Sequence, residues 1–104
     1  MMTKELILIP GANKISIINV YQYRIVRIID VPGSNWIRGV CMLNNDMLVT
    51  GDCSKVIRQW RIEGDNLILI YQKENSHEDY INFLLNMGDG YIASGSSDKT
   101  IKIW

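Results

Sequence analysis

Hydrophobic positions along the chain come in short runs rich in Ile, Val, Leu, Tyr and Trp, each closed by polar turn residues. Short β-branched and aromatic runs bounded by Gly, Asn, Asp and Ser read as strands. The central stretch predicts four of them: Ile37 to Leu43, Met47 to Gly51, Val56 to Ile62, and Leu67 to Lys73. The turns between them are NND (Asn44 to Asp46), DCSK (Asp52 to Lys55) and EGDN (Glu63 to Asn66). Met87-Gly88-Asp89-Gly90 occupies the place of the first of these turns later in the chain. Its Asp-Gly pair supplies the positive φ that a tight hairpin needs. In Ile25 to Ile29 and Leu67 to Tyr71, apolar residues fall on both parities, which predicts sheets covered on both faces.

The strand pattern repeats. Met47 to Trp60 (MLVTGDCSKVIRQW) aligns on Tyr91 to Trp104 (YIASGSSDKTIKIW), with Gly51 on Gly95, Lys55 on Lys99, Ile57 on Ile101 and Trp60 on Trp104, always 44 residues apart. Upstream, Trp36-Ile37 falls on Tyr80-Ile81 without a gap. A weaker copy lies in LILIPGANKISIIN, where Ile15 and Ile17 match Ile101 and Ile103 after deletion of one turn residue, and Ile18 takes the Trp position. Four antiparallel strands in a repeated meander describe the blades of a β-propeller.

The segment SHEDYINFLLNMGDGYIASGSSDKTIKIW, Ser76 to Trp104, resembles a WD40 repeat. His77 stands at the His of the family's Gly-His pair, with Ser76 in place of the Gly, and Ser94 to Trp104 matches the second and third strands. The middle copy keeps Thr50 and Trp60 but has Gly33 and Ser54 where the His and Asp would be. The resemblance implies an all-β fold, a partial propeller of four-stranded antiparallel blades, one complete and two incomplete. The approximate repeats are residues 6–30, 31–75 and 76–104. It also implies a structural tetrad, a buried hydrogen-bond chain through Trp104, Ser94, His77 and Asp98. Thr50 and Trp60 would form a partial tetrad, leaving the middle blade to rely on packing alone. Propellers of this family bind partners on the face where Trp36 and Tyr80 would emerge, with Cys53 and Ser97 in nearby turns. The competing reading is that these residues plug the gap between blades. The chain is expected to be a piece of a larger propeller, needing further blades for closure. Two incomplete blades of three strands each add up to six strands, so copies of the chain are not expected to complete each other. Open sheet edges then predict marginal stability and a tendency to aggregate.

Composition narrows the function. The chain has 104 residues, room for one small domain. Net charge is zero, with Lys and Arg scattered, so no basic surface points to nucleic acid or to an anionic membrane. The apolar run Leu6 to Ile9 is stopped by Pro10, too soon for a signal or a membrane span. Cys41 and Cys53 form no CxxC pair and His77 is the sole histidine, so neither a disulfide framework nor a zinc site is expected. These thiols suit an intracellular, cytoplasmic protein.

Ser94, His77 and Asp98 are also the residue types of a hydrolase triad, but no G-x-S-x-G elbow presents Ser94. GSSDKT fails as a phosphate loop, because Ala93 and Asp98 stand where its glycines belong. Asp89-Gly90 and Gly64-Asp65 read as hairpin turns rather than calcium ligands. No catalytic residue, cofactor or metal is expected. The sequence therefore points to a non-catalytic scaffold or adaptor segment that binds other proteins. The rivals are a propeller attached to a larger enzyme, such as a kinase or ubiquitin-ligase component, and a lipid-binding propeller. The last would want paired arginines in a loop, whereas Arg58 and Arg61 straddle Trp60 on a predicted strand.

Overall fold

The structure, a computed structural model, describes residues 6–19, 21–64 and 66–104. The initial MMTKE and Asp65 of the predicted Gly64-Asp65 turn lie outside them. The described residues form ten antiparallel strands in three sheets. The first sheet holds β1 (Leu6–Pro10), β2 (Lys14–Asn19) and β3 (Arg24–Asp30). The second holds β4 (Ile37–Asn44), β5 (Met47–Asp52), β6 (Ile57–Glu63) and β7 (Asn66–Lys73). The third holds β8 (Ile81–Gly88), β9 (Tyr91–Ser96) and β10 (Ile101–Ile103). Each sheet is a meander, so every pairing joins strands consecutive in sequence. This is the all-β, partial propeller architecture that the repeat pattern predicts.

Turn chemistry sets the meander. Asp89 (φ 53°) and Gly90 (φ 84°) both take the left-handed backbone between β8 and β9, as a two-residue hairpin with the strands' twist requires. The Asn44 carboxamide accepts the backbone N–H of Asp46 at 3.1 Å in the turn after β4, and the Asn86 carboxamide accepts that of Gly88 at 2.8 Å at the end of β8. The register also repeats. Bulges fall between Ile37 and Gly39 in β4 and between Ile81 and Phe83 in β8. A bulge between Ile17 and Ile18 matches one between Gln59 and Trp60, so Ile18 stands in register where Trp60 does.

Two apolar layers lie between the sheets. Ile15, Ile29 and Val31 meet Ile37, Leu48, Trp60 and Leu67 between the first and second. Val49 and Ile57 meet Ile81, Leu84 and Ile92 between the second and third, with Cys41 and Leu43 packed alongside. A fully buried side chain of this size contributes about 1.5–3 kcal/mol, so these layers hold the sheets together. Close approach is permitted by glycine. A Cβ on Gly39 would meet the backbone of Phe83 and Leu84 at 3.0 Å, and one on Gly51 would meet Ile81 Cγ2 at 2.5 Å.

The outer strands depart from the two-face coverage predicted for them. In β7, Ile68, Leu69, Ile70 and Tyr71 are 39–55% exposed, and in β3, Ile25, Val26 and Ile28 are 49–54% exposed. Of these two runs, only Ile29 and Leu67 enter the buried layer between the first and second sheets.

Candidate functional site

The third sheet gathers four of the predicted residues into one chain of hydrogen bonds. Trp104 follows β10 and is held to β9 by reciprocal backbone bonds with Ile92. Its indole Nε1–H donates to Ser94 Oγ at 2.8 Å. Ser94 Oγ lies 2.7 Å from His77 Nε2, and His77 Nδ1 lies 2.9 Å from Asp98 Oδ2. Asp98 also accepts the backbone N–H groups of Glu78 (3.0 Å) and Thr100 (2.9 Å), and the Thr100 hydroxyl. That hydroxyl bond foremost, then the Glu78 N–H and His77, hold the Asp98 carboxyl well below the usual carboxylate range, against a smaller desolvation effect. Ser94 is fully buried and His77 is 2% exposed.

In the middle sheet, Trp60 Nε1–H donates to Thr50 Oγ1 at 3.0 Å. The chain does not end in packing alone, as Gly33 and Ser54 had suggested. Arg58 reaches across with Nη1 2.7 Å from Asp52 Oδ2, and the two side chains are 11% and 1% exposed. Asp52 Oδ1 further accepts the backbone N–H of Ser54 (2.9 Å) and of Val56 (3.3 Å). An ion pair from within the β5–β6 hairpin thus takes over the turn-holding place that a His and a turn Asp fill in the third sheet. The sequence reading named Asp52 as a turn residue and Arg58 beside Arg61, but did not pair them. The signal available was an acid and a base flanking one tight turn, in the copy that lacks the His.

The four rim residues lie at one end of the molecule. Asn86 Nδ2–H donates to Met42 O at 2.9 Å, and Gly39 backs onto Phe83 and Leu84, so β8 runs alongside β4 in the same direction. Trp36 and Tyr80 enter those two strands at the same end. Trp36 is 63% and Tyr80 46% exposed, so neither fills a gap between sheets. Trp36 has φ 50°, a conformation unusual for a bulky residue. Cys53 N–H donates to Asn35 O (3.0 Å) and Trp36 O (3.2 Å), and Ser97 N–H to Tyr80 O (3.0 Å), placing both turns at this rim. The bulges in β4 and β8 add Arg38 and Asn82 to it; Asn82 Nδ2–H donates to Ser97 Oγ at 2.9 Å. Sequence reading missed these two, because a bulge is invisible in an alternation pattern.

No group of three or more potential metal-binding side chains occurs among the described residues. Cys41, packed between the second and third sheets, has its thiol pushed up to about 11 by burial, which keeps it protonated and unreactive. No helix among the described residues is long and apolar enough to cross a membrane.

The family model of the WD domain, G-beta repeat, matches residues 68–104. The chain carries a WD40 repeat. That repeat takes in all of β8, β9 and β10, with His77, Ser94, Asp98 and Trp104. The protein transport protein SEC13 of Yarrowia lipolytica (strain CLIB 122 / E 150) is 29% identical over 66 residues, which is 59% of this chain and 22% of that protein. The chain thus corresponds to under a quarter of that relative's length. Among solved structures, the computationally designed Ika8 protein superposes with a TM-score of 0.67 at 16% identity, covering 100% of this chain and 31% of that one. That likeness concerns the fold, and it takes in all three sheets.

Proposed function

We propose that the chain is a non-catalytic interaction segment: WD40-type sheets hold a rim that binds another protein in the cytoplasm. The observation that carries this reading is the pair of exposed aromatics, Trp36 and Tyr80, entering adjoining strands at one end of a rigid core. Large aromatics offered at a rim are the residues that anchor protein contacts. The left-handed backbone at Trp36 supports it, since such strain persists where a side chain must be aimed. Cys53, Ser97, Arg38 and Asn82 border the same surface. The resemblance to a protein transport protein is in keeping with a part in a larger assembly.

Within this reading, His77, Ser94, Asp98 and Trp104 form a latch and not a catalytic triad. Ser94 Oγ already accepts from the Trp104 indole and faces His77, and both Ser94 and His77 are buried. A nucleophile needs a free approach to its oxygen, and this one has none.

The test is site-specific photocrosslinking in cells, with the probe at 36 or 80 and a control probe at Asp46, in an exposed turn away from the rim. Adducts to one protein from 36 and 80, absent from 46, support the rim. Equal labelling at 46, or none at 36 and 80, would refute it.

A further inference from the structure

Arg38 is the extra residue of the β4 bulge. Ile37 pairs with Asp52 and Gly39 with Gly51, so Arg38 has no partner of its own in the ladder. Ile37 before it is buried, and Arg38 is exposed. A bulge re-aims a side chain, and this one brings a guanidinium to the rim that carries Trp36 and Tyr80.

The chain leaves that guanidinium uncommitted. Arg24 bonds Gln22, Arg27 the Gly64 carbonyl, Arg58 Asp52, and Arg61 Glu63. Among the described residues, Arg38 alone of the arginines forms no hydrogen bond or ion pair. The carboxylate opposite the bulge is Asp52, and it is taken. Its Oδ2 lies 2.7 Å from Arg58 Nη1, and its Oδ1 accepts the N–H groups of Ser54 and Val56. The equivalent bulge residue in β8 is Asn82, which is neutral and donates to Ser97 Oγ.

A free guanidinium among exposed aromatics is built to take an oxyanion. Its planar fork offers two parallel N–H donors, and apolar contacts around such a pair keep water from it. Charge decides which oxyanion. A phosphate monoester brings about 1.5–2 negative charges and is held by clustered arginines, whereas this rim offers one free guanidinium, the match of one carboxylate.

We propose that Arg38 is the specificity residue of the rim, and that the partner is a peptide segment presenting one Asp or Glu carboxylate with apolar residues beside it. The carboxylate takes the Arg38 fork, and the apolar residues lie on Trp36 and Tyr80. This rests on the rim being the binding surface.

The test uses blocked, fluorescent hexapeptide pools of mixed apolar residues around one fixed position: Glu, its neutral isostere Gln, or phosphoserine. Binding to the purified chain is read by fluorescence polarisation. The Glu pool should bind roughly tenfold more tightly than the Gln pool, the scale of one charge-assisted pair. R38Q and R38A should bring the two pools to parity, and either variant suffices if the other fails to fold. R24Q, an exposed arginine beside the β2–β3 turn, should keep the preference. Parity of Glu and Gln in the parent, or a preference that survives loss of Arg38, overturns the proposal and leaves the rim standing. A phosphoserine pool that binds more tightly than Glu overturns the choice of a carboxylate. If no pool binds the parent, the rim reading falls and this proposal with it.

Discussion

At His77 the neighbours fix where every proton sits. The Trp104 indole can only donate, so Ser94 Oγ accepts from it and turns its own hydrogen to His77 Nε2. The ring proton then lies on Nδ1, facing the Asp98 carboxylate. One tautomer satisfies all four groups, and removal of any member strands a buried neighbour. His77→Ala should cost about 1–3 kcal/mol in urea unfolding; a change within about 0.5 kcal/mol, the range of ordinary surface substitutions, would deny the latch. Asp98 adds a pH signature. Its folded carboxyl is depressed, so its stabilising effect is complete above the ordinary Asp range, near pH 3.9. Below that the unfolded chain takes up the proton first, and the effect fades as pH falls toward the folded group's own value. Melts followed downward from pH 5 should therefore lose midpoint less steeply in Asp98→Asn than in the parent. At Asp52 and Arg58, removing one partner leaves a buried charge, and Arg58→Ala should cost about 3–5 kcal/mol. Arg61→Ala, which breaks an ion pair with Glu63 where both side chains are about half exposed, should cost about 0–1 kcal/mol. Parity between the two would contradict the burial of the Arg58 pair. The third sheet's hydrogen-bonded residues could be singled out from sequence because His77 and Asp98 match a familiar pattern. The Asp52–Arg58 pair could not, because a lone substitution does not say which neighbour moves into the space.

Strands and turns are more legible than what covers them. The four strands predicted from Ile37 to Lys73 differ from β4 to β7 by one residue at most of their ends, since turn chemistry marks the ends of a meander directly. Burial was less readable: apolar residues on both parities in β3 and β7 suggested two covered faces, yet most are exposed. Sequence records which residues are apolar, but the distance between sheets at each depth is set by packing. Glycine governs that distance. Gly51→Ala should destabilise the chain, because Ile81 Cγ2 would lie 2.5 Å from the new Cβ. Adding Ile81→Ala should then cost less than it does in the parent, because the two changes share one space. Additive losses in a double-mutant cycle would mean that Gly51 and Ile81 do not meet. Gly39→Ala has no such rescue, since its Cβ would press on main-chain atoms of β8.

Across the whole molecule the apolar residues divide between two interior layers and two outward faces. Register places Ile7, Ile9, Ile25 and Ile28 together on the outer face of the first sheet, all 44–54% exposed. Phe83, Leu85, Ile101 and Ile103 form the outer face of the third, 44–67% exposed. Contiguous apolar surface of this kind drives association in water, and the zero net charge supplies little repulsion to oppose it. The sequence foresaw open edges but not these faces, because residues apolar in the repeat pattern look the same whether or not a sheet covers them. The purified chain should therefore show a mass in sedimentation velocity that rises with concentration. Ile28→Lys combined with Ile101→Lys places a charge within each face and should return the mass to that of a monomer. Both side chains are already more than half exposed, so the thermal midpoint of the doubly substituted chain should stay close to the parent's. A parent mass that is independent of concentration would show that these faces do not drive association under those conditions. A lysine pair that lowers the midpoint sharply would show instead that the two faces are packed in the isolated chain, against the exposure from which the prediction was drawn.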